Sequence, residues 1–295
     1  MGVRMDYLYH YSNIEALALI LKNKTFKLRS LNTLDDLQEE KSSDIQDFGK
    51  YVFVSSWTED MDESIPMWNM YANMKSGIRI KMIKDPFIQY KVDRDYILNS
   101  FDNCVVRSLD CGGLKMGVPA IEPYGFTTSF QIENLIIPQE EFFSSEYYLY
   151  NCTPDSILQK VIYTEEASLL TPQISQISDQ YSIVLSKLGY HKRRCWEFQK
   201  EYRYILRFAP FNIKKFMAYP CISINETLQK YNSSLNKLPF SNYFLYLRED
   251  AYNTMEITTS PNFSDGNLEI LNLLKEKYNK NMKICKSGLS NTIRE

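Results

Sequence analysis

The 295-residue sequence holds only two histidines, His10 and His191, and its six cysteines (Cys104, Cys111, Cys152, Cys195, Cys221, Cys285) form no Cys-x-x-Cys pair. A structural zinc site draws on closely spaced Cys and His ligands, so this scatter argues against one and for reduced, mostly structural thiols in a cytoplasm. Long apolar runs are missing too. The longest, around Ile14 to Leu21, is too short to span a bilayer, which leaves no role for a membrane. The start, Met1-Gly-Val-Arg-Met-Asp, lacks the apolar core of a secretory signal, and Asp6 stands where a myristoylation signal prefers Ser or Thr. With 34 basic against 36 acidic residues, no global field draws in nucleic acid, although a local patch still can. A phosphate-binding Gly-x-x-x-x-Gly-Lys-Ser/Thr loop, a Gly-x-Gly-x-x-Gly turn after a strand and a Gly-x-Ser-x-Gly nucleophile elbow are all absent.

What is present is aromatic. Hydrophobic residues make up 44% and aromatics 14%, with 22 tyrosines, enough to build a core and rule out global disorder. The chain reads as one α+β domain over 1–295. Residues 7–11 suggest a strand, and Ser12-Asn-Ile-Glu15 a capping box opening a helix whose apolar face is Ile14, Leu17, Ala18 and Leu21. Thr25 to Leu31 alternates as a half-buried strand. A polar loop bearing Asp35, Asp36 and Glu39 follows, then a β-rich Tyr51 to Trp57. A short helix is expected from Pro66 through Ala72, broken by Gly77, with a strand over 78–82. Residues 85–160, punctuated by Pro and Gly, read as an insertion or helical subdomain within the domain. Further on, 161–163 predicts a strand, 171–190 a helix, 201–208 a strand, 268–278 an amphipathic helix, and 282–285 a last strand.

Candidate chemistry is sparse. His10 lies between two tyrosines at a strand end, where scaffolds display ligand-binding groups, although a packed histidine is the commoner outcome. Glu201, Arg203 and Arg207 alternate onto one face, as a surface ion-pair ladder or as a carboxylate oriented by arginines in a cleft. His191 sits in the basic run Tyr190-His-Lys-Arg-Arg194, read as a solvated or anion-contacting loop. Trp68, Tyr71, Ser55 and Ser56 are core and capping residues by default. Asp35, Asp36 and Glu39 offer a magnesium-dependent nuclease as a minor alternative.

Six segments in order carry a resemblance. They are Leu8-Tyr-His-Tyr-Ser12, Leu31 to Glu39, Val54-Ser-Ser-Trp-Thr-Glu-Asp60, Met67-Trp-Asn-Met-Tyr-Ala72, Ser76-Gly-Ile-Arg-Ile80 and Trp196-Glu-Phe-Gln-Lys-Glu-Tyr-Arg203. This order resembles the bacterial family called domain of unknown function 2971, whose Asn-Asp-Pro turn is replaced here by Leu34-Asp-Asp-Leu37. That family is distantly similar to ADP-ribosyltransferases. The resemblance implies a split mixed or antiparallel sheet flanked by helices and NAD as the substrate. Catalytic roles fall to His10, Tyr71 and Glu201, and NAD contacts to His10, Tyr11, Ser55, Ser56, Trp68 and Arg203. It implies nicotinamide release with ADP-ribose passed to a protein, a nucleic acid or water, as in a toxin or antiviral effector. The alternative is a non-catalytic module that senses a nucleotide or a phage protein.

Overall fold

The computed structural model describes residues 7–93, 109–110, 115–116, 133–142, 144–150, 152–177, 181–210 and 237–293. The aromatic start forms β1 (Tyr7–Asn13), two residues longer than expected, because its ladder with β4 (Gly77–Ile83) continues to Asn13 opposite Gly77. Ser12 is therefore a ladder residue and not a cap. The N-cap of α1 (Ile14–Asn23) is Asn13, whose side chain accepts from the Ala16 N–H at 2.8 Å. Ile14, Leu17, Ile20 and Leu21 bury the helix face.

β2 (Thr25–Ser30) alternates as expected, with Phe26 and Leu28 in the core and Lys27 and Arg29 outside. β3 (Val52–Thr58) is buried along almost its whole length, as a strand covered on both faces must be. A helical turn, Ile65–Met67, continues into a π-turn, Trp68–Ala72, that ends at Asn73 with φ 100°. Asn73, not Gly77, closes this helix. Gly77 opens β4 instead, and it is glycine because a Cβ there would lie 2.4 Å from the Asn73 carbonyl oxygen.

About half of the 85–160 stretch, including nearly all of 94–132, lies outside the described residues. Its last part joins the main sheet: β5 (Tyr148–Tyr150) and β6 (Leu158–Lys160) both pair with the central β9 (Glu201–Ala209). The helix expected over 171–190 is absent from the described part of that span. A hairpin of Ser175–Ile177 with Tyr181–Ile183 and a 3-10 turn Leu185–Lys187 stand there, in keeping with the β-branched Ile174, Ile177, Ile183 and Val184 after Pro172. β7 (Ile162–Thr164) pairs in parallel with β8 (His191–Arg193). β10 (Asn242–Tyr246) pairs with β2 and β11 (Glu256–Thr259) with β4; after α2 (Asp265–Tyr278), β12 (Lys283–Cys285) closes the edge parallel to β11.

Ten strands of the described residues thus form one mostly antiparallel open sheet: seven run in the order β6-β9-β3-β1-β4-β11-β12, β2 and β10 branch from β3, β5 pairs with β9, and helices lie against it. The sheet has one irregularity. β1 meets β3 only at Tyr9 opposite Thr58, while β2 meets the other end of β3 at Arg29–Val54 and Ser30–Phe53. Between those contacts the two strands diverge. Both faces of β9 are filled, so Glu201, Arg203 and Arg207 lie inside the protein and form no surface ladder.

Candidate functional site

A cavity of about 690 Å³ opens where β1 and β2 part along β3. Beside it, Thr58 of β3 pairs with Tyr9 on one side and with Glu201 on the other, which ties β1 and β9 to the same strand. His10 and Glu201, far apart in sequence, both line this cavity, with Tyr11, Ser55, Ser56, Tyr71 and Arg203. Trp68 does not: it is fully buried, edge-on to Tyr11, and its Nε1–H donates to Glu63 at 3.0 Å. The resemblance assigned it an NAD contact; its position makes it a support for the turn that carries Tyr71.

His10 donates from Nδ1 to the Ser56 carbonyl at 2.8 Å. Its ring sits between Phe26 and Trp57, with centroids 5.4 and 5.1 Å away, and keeps partial exposure through the cavity. Burial lowers its pKa, the Ser56 bond opposes this, and the nearby Lys27 charge adds to it. The imidazole is therefore neutral at pH 7, and a proton on Nδ1 leaves Nε2 as an acceptor. Tyr71 receives a hydrogen bond from the Gln199 amide. Burial and the charges of Asp35, Glu201 and Glu39 push its phenol well above the ordinary value, so it stays protonated. The Tyr11 hydroxyl accepts from Ser64 N–H at 3.0 Å, and Ser55 Oγ accepts from Trp57 Nε1 at 3.1 Å, so both carry structural bonds.

Glu201 is the centre of a buried charge network. Arg203 grips it with two bonds, Nε to Oε1 at 2.6 Å and Nη2 to Oε2 at 3.0 Å. The remaining Arg203 nitrogen reaches Glu39 and the Gly189 carbonyl, so every guanidinium nitrogen bonds to the protein. Lys192 Nζ lies 3.0 Å from Glu39, 3.3 Å from Glu201 and 2.9 Å from the side-chain Oε1 of Gln199. Burial would raise the Glu201 pKa, but Arg203, Lys192 and a bond from Ser56 outweigh it and hold the carboxyl well below the usual range. Two anions and two cations balance. Arg203 acts by positioning Glu201, not as a free ligand group.

Glu39 and Lys192 were not expected here. The acidic segment reads as a polar loop and the basic run as a solvated or anion-contacting one; Asp36, Glu39 and Lys192 are all buried, and Lys192 does contact carboxylates. The residues 191–193 form a strand, so Lys192 alone of the three turns inward, and Arg193 meets Asp36 at 3.3 Å. Glu39 is held by two cations and Asp36 by another, so both carboxylates are answered within the protein. Among the described residues no cluster of three potential metal ligands occurs. The signal that points to Glu39 in the sequence is its place as the acidic residue closing the Leu31 to Glu39 segment.

Among the described residues, no helix is long and apolar enough to cross a membrane. Compared with family models, curated proteins and solved structures, the chain gave no match.

Proposed function

We propose that the chain is an NAD-dependent ADP-ribosyltransferase-like enzyme, with the cavity at the β1–β2 divergence as its active site. The observation that carries this reading is that His10 and Glu201 line one cavity, joined through Ser56, which accepts from His10 and bonds to Glu201. The divergence of β1 and β2 along β3 supports the split-sheet architecture of such enzymes.

In this reading, neutral His10 accepts a ribose hydroxyl hydrogen at Nε2, and the Tyr71 ring flanks the nicotinamide. The glycosidic bond breaks, nicotinamide leaves with the bonding pair, and positive charge develops on the ribose. The ionised Glu201 answers that charge, much as a carboxylate does in glycoside cleavage. An acceptor or water then attacks the anomeric carbon and loses its proton. The test is nicotinamide release by the purified protein, lost in Glu201→Gln. Absence of both turnover and NAD binding overturns the reading.

One observation favours a second reading. Both Glu201 oxygens already accept from Arg203, and one of them also meets Lys192, so much of its charge is answered within the protein. A site of this kind suits a module that binds a nucleotide without consuming it. Thermal stabilisation by NAD, with the NAD recovered intact, selects that alternative.

A further inference from the structure

The cavity mouth continues onto the outer face of the β2–β10 pair. Register sets Lys27 opposite Phe244, Arg29 opposite Asn242 and Thr25 opposite Tyr246, and residues directly opposite share a face. Apart from the buried Thr25, that face is turned to solvent. Phe244 and Tyr246 each keep 50% exposure, whereas Tyr243 and Leu245, pointing the other way, are in the core. Lys27 and Arg29 are exposed between them, and neither pairs with a carboxylate among the described residues. Arg29 spends one donor on the Thr33 carbonyl at 2.8 Å. Lys27, Arg29, Asn242 and Phe244 also line the cavity, so the strip and the cavity are continuous.

The charge balance is informative. Lys192 and Arg203 are answered by Glu201 and Glu39. Lys27 and Arg29 are left facing the single carboxylate of Asp35, giving the mouth an excess of positive charge among its described residues. Two half-exposed aromatic rings two residues apart on a strand, bordered by two free cations, match the chemistry of bases on a phosphate chain. Stacking needs open base faces, which a duplex does not offer.

We propose that the β2–β10 face binds single-stranded nucleic acid, with bases stacked on Phe244 and Tyr246 and phosphates on Lys27 and Arg29. The strand then runs toward the cavity, and the base on Phe244 stands at its mouth.

The test is fluorescence anisotropy with labelled oligothymidylate and oligouridylate of roughly 12 nucleotides, within the site sizes such surfaces use. Phe244→Ala and Tyr246→Ala should each weaken binding about ten-fold, the effect of one lost stacking platform. Lys27→Gln with Arg29→Gln should flatten the salt dependence by about 1.4 in the log–log slope, for two single-strand phosphate contacts. All four side chains are on the surface, so these variants should keep the wild-type melting temperature. No oligonucleotide binding, equal binding of a blunt duplex, or an unchanged affinity in the aromatic variants overturns the proposal. So does binding of an acidic peptide, an anionic vesicle or free ADP-ribose that is equal in strength and lost in the same variants. The measurement needs no NAD, so its failure and a failure of the transfer reading are separate results.

Discussion

Replacing Glu39 with Gln keeps the side-chain volume and removes one charge from a buried network. The side chains of Glu39, Glu201 and Arg203 are at most 4% exposed and that of Lys192 is 7% exposed. In the native protein two carboxylates face two cations. In Glu39→Gln, Arg203 and Lys192 share Glu201 alone, and one buried positive charge is unanswered. Removing one partner of a buried pair costs about 3–5 kcal/mol, because the remaining charge keeps its desolvation penalty. Against typical domain stabilities of about 5–15 kcal/mol, that is a large share. Urea unfolding followed by tryptophan fluorescence should show a lower midpoint with an unchanged slope. A second variant, Glu39→Gln with Lys192→Met, restores neutrality. Its loss should fall short of the sum of the single variants by about 0.5–3 kcal/mol, the range for residues in one network. A single-variant loss below about 1 kcal/mol, or strictly additive losses, would refute the network account.

Four other outcomes are expected from the geometry. Glu201 has a folded pKa lowered to about 2, so its pairing stabilises fully above about pH 4.3 and is lost progressively as pH falls from there toward 2; urea midpoints over that range should fall less steeply in Glu201→Gln. His10 and His191 are also lowered, mainly by burial, so the folded protein binds fewer protons and loses stability as pH falls below about 6.5; His10→Gln should show a shallower loss between pH 7 and 5, and an identical profile argues against the buried neutral ring. Asn13→Ala should cost about 1 kcal/mol while Ser12→Ala leaves α1 capped, and the reverse ranking in denaturant melts would restore the Ser12 capping box. Gly77→Ala should cost about 1–3 kcal/mol, since the new methyl meets the Asn73 oxygen at 2.4 Å; an unchanged melting temperature would contradict that contact.

The strand–helix–strand–strand–helix–strand order of residues 7–83 was legible from clean periods, of two in Thr25–Ser30 and near 3.6 in Ile14–Asn23, and from the β-rich composition of Val52–Thr58, which is buried on both faces and has no period. The helix expected at 171–190 failed because its apolar residues are mainly β-branched, and β-branched chains settle in extended backbone. His10 and Glu201 were legible as rare or ordered residues. Their partners were not. Local sequence marks Asp36, Glu39 and Lys192 as polar and therefore solvated, and only the parallel β7–β8 pair brings Lys192 across to two carboxylates from distant segments. A charge that is buried because its partners arrive from elsewhere leaves no trace in its own neighbourhood.

The parting of β1 from β2 has a mechanical side. Ser56 lies on the stretch of β3 that neither strand covers with its ladder, so its carbonyl lacks a backbone donor on that edge, and the His10 imidazole takes that place. The ring is a stand-in for a missing strand, and its orientation is inherited from the sheet's topology rather than from local packing alone. A change that let β1 zip further along β3 would seal the opening and dislodge the histidine in one stroke. Ala16, Leu19 and Asn23 of α1, which wall the opening and join neither the ladder nor the rings around the imidazole, can vary in size and charge while the imidazole stays aimed.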